Sequence, residues 1–116
     1  MSENQSLQML SADENNALKI LTYFYFQMNH IDSAYRGAKA LLAIEPKNLW
    51  AKAMIVMCAD AKEDFEEVLS LSDPIEQFKN EPDLYRSVVL LRARSLQKEG
   101  YAQEARQTLM LLSENV

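Results

Sequence analysis

Residues 15–48 constrain this chain more than any other stretch, because they read as two helices joined by one tight turn. In the first, 15–28, Leu18, Leu21 and Tyr25 fall at helical spacing. The turn is Asn29-His30-Ile31-Asp32. Asn29 stands where the first helix must end, and Asn tolerates the left-handed conformation that closes helices. The second helix, 33–44, sets Ala34, Ala38, Leu41 and Leu42 at helical spacing and stops at Glu45-Pro46, since Pro cannot continue a helix. Small Ala34 and Ala38 let the two helices approach closely. A hairpin this short cannot bury its own apolar face, so it needs neighbours of the same kind.

The rest of the chain supplies them. Residues 1–10 read as a polar N-terminal arm with Leu7, Met9 and Leu10 interspersed, and 11–116 as one domain. Ser11-Ala12-Asp13-Glu14 has the form of a capping box for the first helix. Asn48 is placed to cap a helix over 49–59. A charged turn, 60–63, leads into a further helix from Asp64-Phe65. Asp73-Pro74-Ile75-Glu76 interrupts it, with Asp73 as cap, Pro74 as first helical residue and a second short piece ending near Asn80. The third hairpin starts near Pro82, with helices over 84–97 and 102–112 and Gly100 in the turn. Ala34 to Val68 is 34 residues and Val68 to Ala105 is 37. The three added residues are assigned to the segment around Asp73-Pro74 and Pro82.

Composition narrows the class. Two glycines and three prolines are few for a sheet protein with many turns, so the expected class is all-α. The net charge of −5 argues against electrostatic binding of nucleic acid. Cys58 is the single cysteine, so no internal disulfide can form; in the apolar run 54–59 it reads as a small buried hydrophobe. A chain without paired cysteines is compatible with a reducing compartment. There is no apolar run long enough to span a membrane, and no basic region before an apolar run to mark a signal peptide. Catalysis has little support: His30, the single histidine, reads as a surface turn residue, and there is no Gly-rich phosphate loop or Cys/His cluster. Glu63-Asp64 and Glu66-Glu67 suit the positive end of a helix dipole. The chain is therefore expected not to be an enzyme and to need no cofactor or metal.

A 34-residue period of helix hairpins is that of the tetratricopeptide repeat (TPR), and the chain resembles a TPR domain of three repeats at about 15–48, 49–82 and 86–116. Leu18, Leu21, Tyr25, Ala34, Ala38 and Pro46 carry the first repeat. Phe65-Glu66-Glu67-Val68 supports the second, with Lys52 where an aromatic or Leu is usual. Ala93, Gly100 and Ala105 support the third, with Arg92 in place of the usual Leu. The resemblance implies a right-handed superhelix of three antiparallel hairpins. In size, charge and repeat number the chain looks like the small TPR chaperones of bacterial type III secretion, the Y-type export chaperones and the related needle-subunit chaperones. That likeness implies a cytoplasmic bacterial protein connected with virulence. It would sheathe an amphipathic helical segment of a small secreted or export-apparatus protein, with a co-chaperone or a homodimer as further partner. The alternative is a self-assembling TPR scaffold unrelated to secretion.

In a TPR array the first helices of successive hairpins line a groove. The resemblance implies that Lys19, Tyr23, Phe26, Trp50, Met54, Met57, Leu90 and Arg94 face it. The residues argue in the same direction. Tyr23-Phe24-Tyr25-Phe26, at about 100° per residue, spans most of a helix circumference, so at least one ring must meet a second surface. Aromatics and methionines suit the apolar face of a partner helix, because the thioether chain adapts to varied shapes. A carboxylate-clamp groove does not fit: Lys19 matches one clamp position, but Tyr23, Met54, Ser87 and Leu91 stand where Asn, Asn, Lys and Arg are needed. Leu109, Met110, Leu111 and Leu112 form a last apolar run with no capping helix after it. Repeat arrays end in a polar cap, so this run is expected to be covered by a partner or to self-associate.

Overall fold

A computed structural model describes residues 12–113. Six α-helices and one 3-10 turn follow one another, with no strand among the described residues. They are α1 (Ala12–Gln27), α2 (Ile31–Ile44), α3 (Leu49–Ala61), α4 (Phe65–Leu71), the 3-10 turn (Ile75–Phe78), α5 (Pro82–Lys98) and α6 (Ala102–Ser113). Backbone contacts group them into two units, residues up to Ile55 and residues from Val56 on, with the boundary inside α3. The capping box expected at Ser11 and the arm over 1–10 lie outside the described residues.

Three turns share one hydrogen-bond pattern, and it explains why the hairpins recur. Among the described residues, those with positive φ are Asn29, Glu63 and Gly100, at 64°, 60° and 91°. Each donates its N–H to the carbonyl three residues back: Phe26 at 3.0 Å, Asp60 at 2.9 Å and Gln97 at 3.1 Å. The residue after each one reaches back five: His30 to Tyr25 at 2.9 Å, Asp64 to Ala59 at 2.8 Å, Tyr101 to Leu96 at 2.8 Å. This is the Schellman closure, which satisfies the carbonyls a helix end leaves open. The next helix then starts at once, with the amides of Ala34, Val68 and Ala105 bonded to the carbonyls of His30, Asp64 and Tyr101. All three of those side chains are buried. The turns at Asn29 and Gly100 are as expected; Glu63, not a residue that favours the left-handed region, adopts it with the same closing hydrogen bonds.

In the first unit α1 packs against α2. Ala34 and Ala38 are fully buried and Leu41 nearly so, as their spacing predicts. The tightest approach lies beside them, at Gly37: a Cβ built there would fall on Thr22 Oγ1, so only glycine fits. Thr22, not Leu21, is the fully buried residue of α1. Leu21 is 45% exposed, a correction to the expected core face. The helix is apolar all round at this level, so the small side chain that lets α2 come close takes the buried position. Pro46 follows the last residues of α2, and Asn48 caps α3 by accepting the amide of Ala51 at 3.0 Å.

In the second unit the later turns of α3 supply Val56 and Ala59 to a core with Val68, flanked by Leu71 and Leu91. Asp64 caps α4 through the amide of Glu67 at 3.3 Å. α4 ends at Leu71, and the chain breaks where Pro74 predicts. The details differ: Asp73 makes no cap, and Pro74 sits in extended conformation before the 3-10 turn, after a cis Asp73–Pro74 bond. The side-chain amide of Gln77 donates to the Pro74 carbonyl at 2.8 Å instead. Phe78 from this turn is fully buried. α5 contacts α4, the 3-10 turn and α6.

Of the segment expected to hold the three added residues, the Pro82 end does so and the Asp73-Pro74 end does not. From the left-handed residue to the next hairpin is 20 residues in the first case (29 to 49) and 19 in the second (63 to 82). The added residues belong instead to α5 itself, 17 residues long against 13 for α3. Pro82 opens that extra turn as a first-turn proline, whose missing N–H costs nothing there. Among the described residues no helix is long and apolar enough to cross a membrane.

Candidate functional site

Asn48 fixes the start of α3 and so sets Trp50 in its first turn, at the side of α1. Lys19 of α1 lies over the Trp50 ring, with its Nζ 5.2 Å from the ring centroid. The ring face is electron-rich and holds the ammonium there, while the lysine stem covers part of the apolar surface. Around this pair the first unit has an open pocket of about 410 Å³, lined by Asn16, Lys19, Ile20, Tyr23 and Trp50. Tyr23 and Ile20 are exposed, and Trp50 is half-buried. The Tyr23 hydroxyl accepts a 2.6 Å hydrogen bond from the Gln27 side chain one turn on, which steadies the ring against the helix surface.

Of the residues expected to line a groove, the structure brings three into this pocket: Lys19, Tyr23 and Trp50. Phe26 is half-buried and does not line it. Met54 is 2% exposed and cannot meet a partner, a correction to its expected place. Its neighbours Ala51, Ala53 and Ile55 are buried too, so α3 is enclosed on nearly all sides there and has no free face for a methionine. In the second unit Met57 is half-buried and Leu90 exposed. Arg94 stands beside its own chain's acid, with Nε 3.1 Å from Asp60 Oδ1. The pair is partly solvated, so it orients the guanidinium more than it stabilises the fold.

Asn16 and Ile20 are lining residues that the sequence argument did not include. With Lys19 and Tyr23 they fall at i, i+3, i+4 and i+7, the signature of a single helix face. That spacing was the available signal. His30, expected on the surface, is exposed and makes an edge-to-face contact with Tyr25, ring centroids 6.3 Å apart. The apolar run near the end of α6 divides: Leu109 and Met110 are exposed, Leu111 and Leu112 half-buried.

The pocket combines apolar walls with a polar rim. Its walls are mostly apolar, with one ammonium, one amide and one phenol at the rim and no nucleophile paired with a base. Among the described residues no group of three or more His, Cys, Asp or Glu is placed to hold a metal ion. No family model, curated protein or solved structure matches the chain.

Proposed function

We propose that this chain is a TPR-type binding module that sheathes an amphipathic helix, and that the pocket between Tyr23 and Trp50 receives an apolar side chain of that helix. The single observation carrying the proposal is the pocket itself: exposed aromatic and aliphatic walls beside one positioned cation. The three Schellman-closed turns, 34 (29 to 63) and 37 (63 to 100) residues apart, support a repeat reading. A partner helix burying Tyr23, Ile20 and Trp50 gains ~25 cal/mol per Å² of apolar area before association costs. Lys19 at the rim favours an acidic residue on the partner one turn from its apolar anchor. Within this proposal the partner is a small secreted or export-apparatus protein of a bacterial type III secretion system, and the chain is its cytoplasmic chaperone.

The test is calorimetric titration of the co-purified host partner into wild type, Trp50→Ala and Tyr23→Ala, each with a thermal melt alongside. Each variant should bind more weakly by roughly 2 kcal/mol or more, since central aromatics dominate such interfaces, and should melt near wild type. Normal binding by both, with loss of binding in Met110→Gln, would move the partner to the face of α6. Exposed Leu109 and Met110 favour one other reading, a scaffold that assembles through α6. It predicts a mass that grows with concentration and falls in the Met110→Gln variant.

A further inference from the structure

We propose that α1 pairs with α1 of a second copy, antiparallel, with Phe24 on the two-fold axis and Ile20 of each copy against Met28 of the other. Ile20, Phe24 and Met28 are 68%, 59% and 53% exposed, and Leu21 beside them 45%. They stand at i, i+4 and i+8 and form one ridge inclined to the helix axis, with Met28 just past the last residue of α1. At about 100° per residue, Phe24 lies on the side of α1 away from Thr22, the residue buried against α2. Among the described residues, then, the ridge is left exposed.

The occupant follows from symmetry, charge and area. A two-fold interface must be complementary to itself. Ile20 and Met28 are equally spaced about Phe24, so an antiparallel copy places each against the other and the two Phe24 rings together. No residue from Ile20 to Met28 carries charge. Asp13 and Glu14 lie in the first turn of α1, and Lys19 is turned to Trp50. A second copy brings the same uncharged ridge, so the chain's net charge of −5 never enters the seam. With side chains of this size half exposed, the ridge and its flanks offer roughly 500 Å² per copy, so a pair buries roughly 1,000 Å², the threshold for a specific interface. The ridge shares Ile20 with the Trp50 pocket, so a second copy and a partner helix compete for that side chain, while Phe24 and Met28 belong to the ridge alone.

The experiment combines sedimentation with self-crosslinking on the full chain. Wild type should reach twice its 13.3 kDa mass within the micromolar range, with little salt dependence because the seam holds no charge. Phe24→Glu should weaken the dimer at least about a hundredfold, as loss of a central aromatic does, and leave Trp50 fluorescence unchanged. Phe24→Cys should oxidise to a disulfide-linked dimer, since only a residue on the axis meets its own copy within the ~4–7 Å Cα reach of a disulfide. Cys58 is fully buried and does not compete. Tyr101→Cys, at a residue 52% exposed elsewhere, is the control and should stay monomeric. A wild-type monomer throughout, with Phe24→Cys crosslinking no better than the control, overturns the proposal. A dimer that survives Phe24→Glu also overturns it. So does a monomer whose melting temperature falls in that variant, because the ridge is then covered within one copy.

Discussion

α1 and α5 each open a helix hairpin and are nearly equal in length, 16 and 17 residues, yet they spend their apolar residues in opposite ways. α1 carries Leu18, Ile20, Leu21 and four consecutive aromatics, but Thr22 is its one fully buried residue. α5 carries Arg86, Arg92, Arg94 and Lys98, and buries Tyr85, Val88, Val89, Ala93, Ser95 and Leu96. The more polar helix is the more buried one. Periodicity explains half of this: the buried residues of α5 follow i, i+3, i+4, i+8, i+10 and i+11, and Arg86, Arg94 and Lys98 fall outside that arc, while Arg92 lies within it and is half-buried. Neighbours explain the rest. Among the described residues α5 is contacted by α4, the 3-10 turn and α6, whereas the packing of α1 is concentrated on α2. How apolar a helix is says little about how buried it is; the number of sides that find a neighbour decides.

The strongest test of this contrast compares truncations of similar size in the two helices. Leu96→Ala should destabilise by about 2–5 kcal/mol, because it opens a cavity in a packed core. Phe24→Ala should cost under ~1 kcal/mol at concentrations where the chain is monomeric, because the ring is mostly in water. Urea denaturation of both variants measures the difference. If Phe24→Ala costs as much as Leu96→Ala, the outer face of α1 is covered and the contrast fails.

A smaller effect sharpens the account of where α1 does pack. Gly37→Ala places a methyl group on Thr22 Oγ1 and should destabilise by about 1–3 kcal/mol through overpacking. Combining it with Thr22→Ala, which removes the obstructing hydroxyl, should recover part of that loss. Additive costs in the double variant would show that the two residues do not meet.

The smallest expected effect concerns the polar work of α5. Nη1 of Arg92 donates to the Leu69 carbonyl at 2.9 Å and to Ser72 Oγ at 2.8 Å. It thus caps the C-terminal turn of α4, where the helix dipole favours a cation. Arg92→Met keeps the aliphatic stem and removes both bonds, and should cost about 1–2 kcal/mol in a thermal or urea melt. No change would mean that water replaces the guanidinium freely, and that α5 holds α4 by apolar contact alone.

Arg92 also marks a limit of pattern reading. By repeat spacing it stands where leucine is usual, and nothing local says that a short helix twenty residues earlier will end against it. Met54 is the converse: the TPR resemblance implied a groove position for it, and it is core. The candidate site was legible in part. Lys19, Tyr23 and Trp50, implied by the TPR resemblance as groove residues, line one pocket; Asn16 and Ile20 complete it at helical spacing from Lys19 and Tyr23.

The sequence by itself determined the elements that rest on local chemistry. Asn29 and Gly100 end helices because they accept a left-handed backbone; Pro46 and Pro74 interrupt because they cannot donate; Asn48 caps because its side chain reaches the amide of Ala51. Small residues at 34 and 38 called for a close helix pair, and the pair forms there. Only the tertiary structure decided which side of the Tyr23–Phe26 run faces inward, that Gly37 rests on Thr22, that Glu63 takes a left-handed turn, and that Arg92 caps α4. The reason is physical. Helical spacing fixes which residues share a face, but when a helix is apolar all round, the partner that can come closest chooses the buried face, and that partner is distant in the sequence.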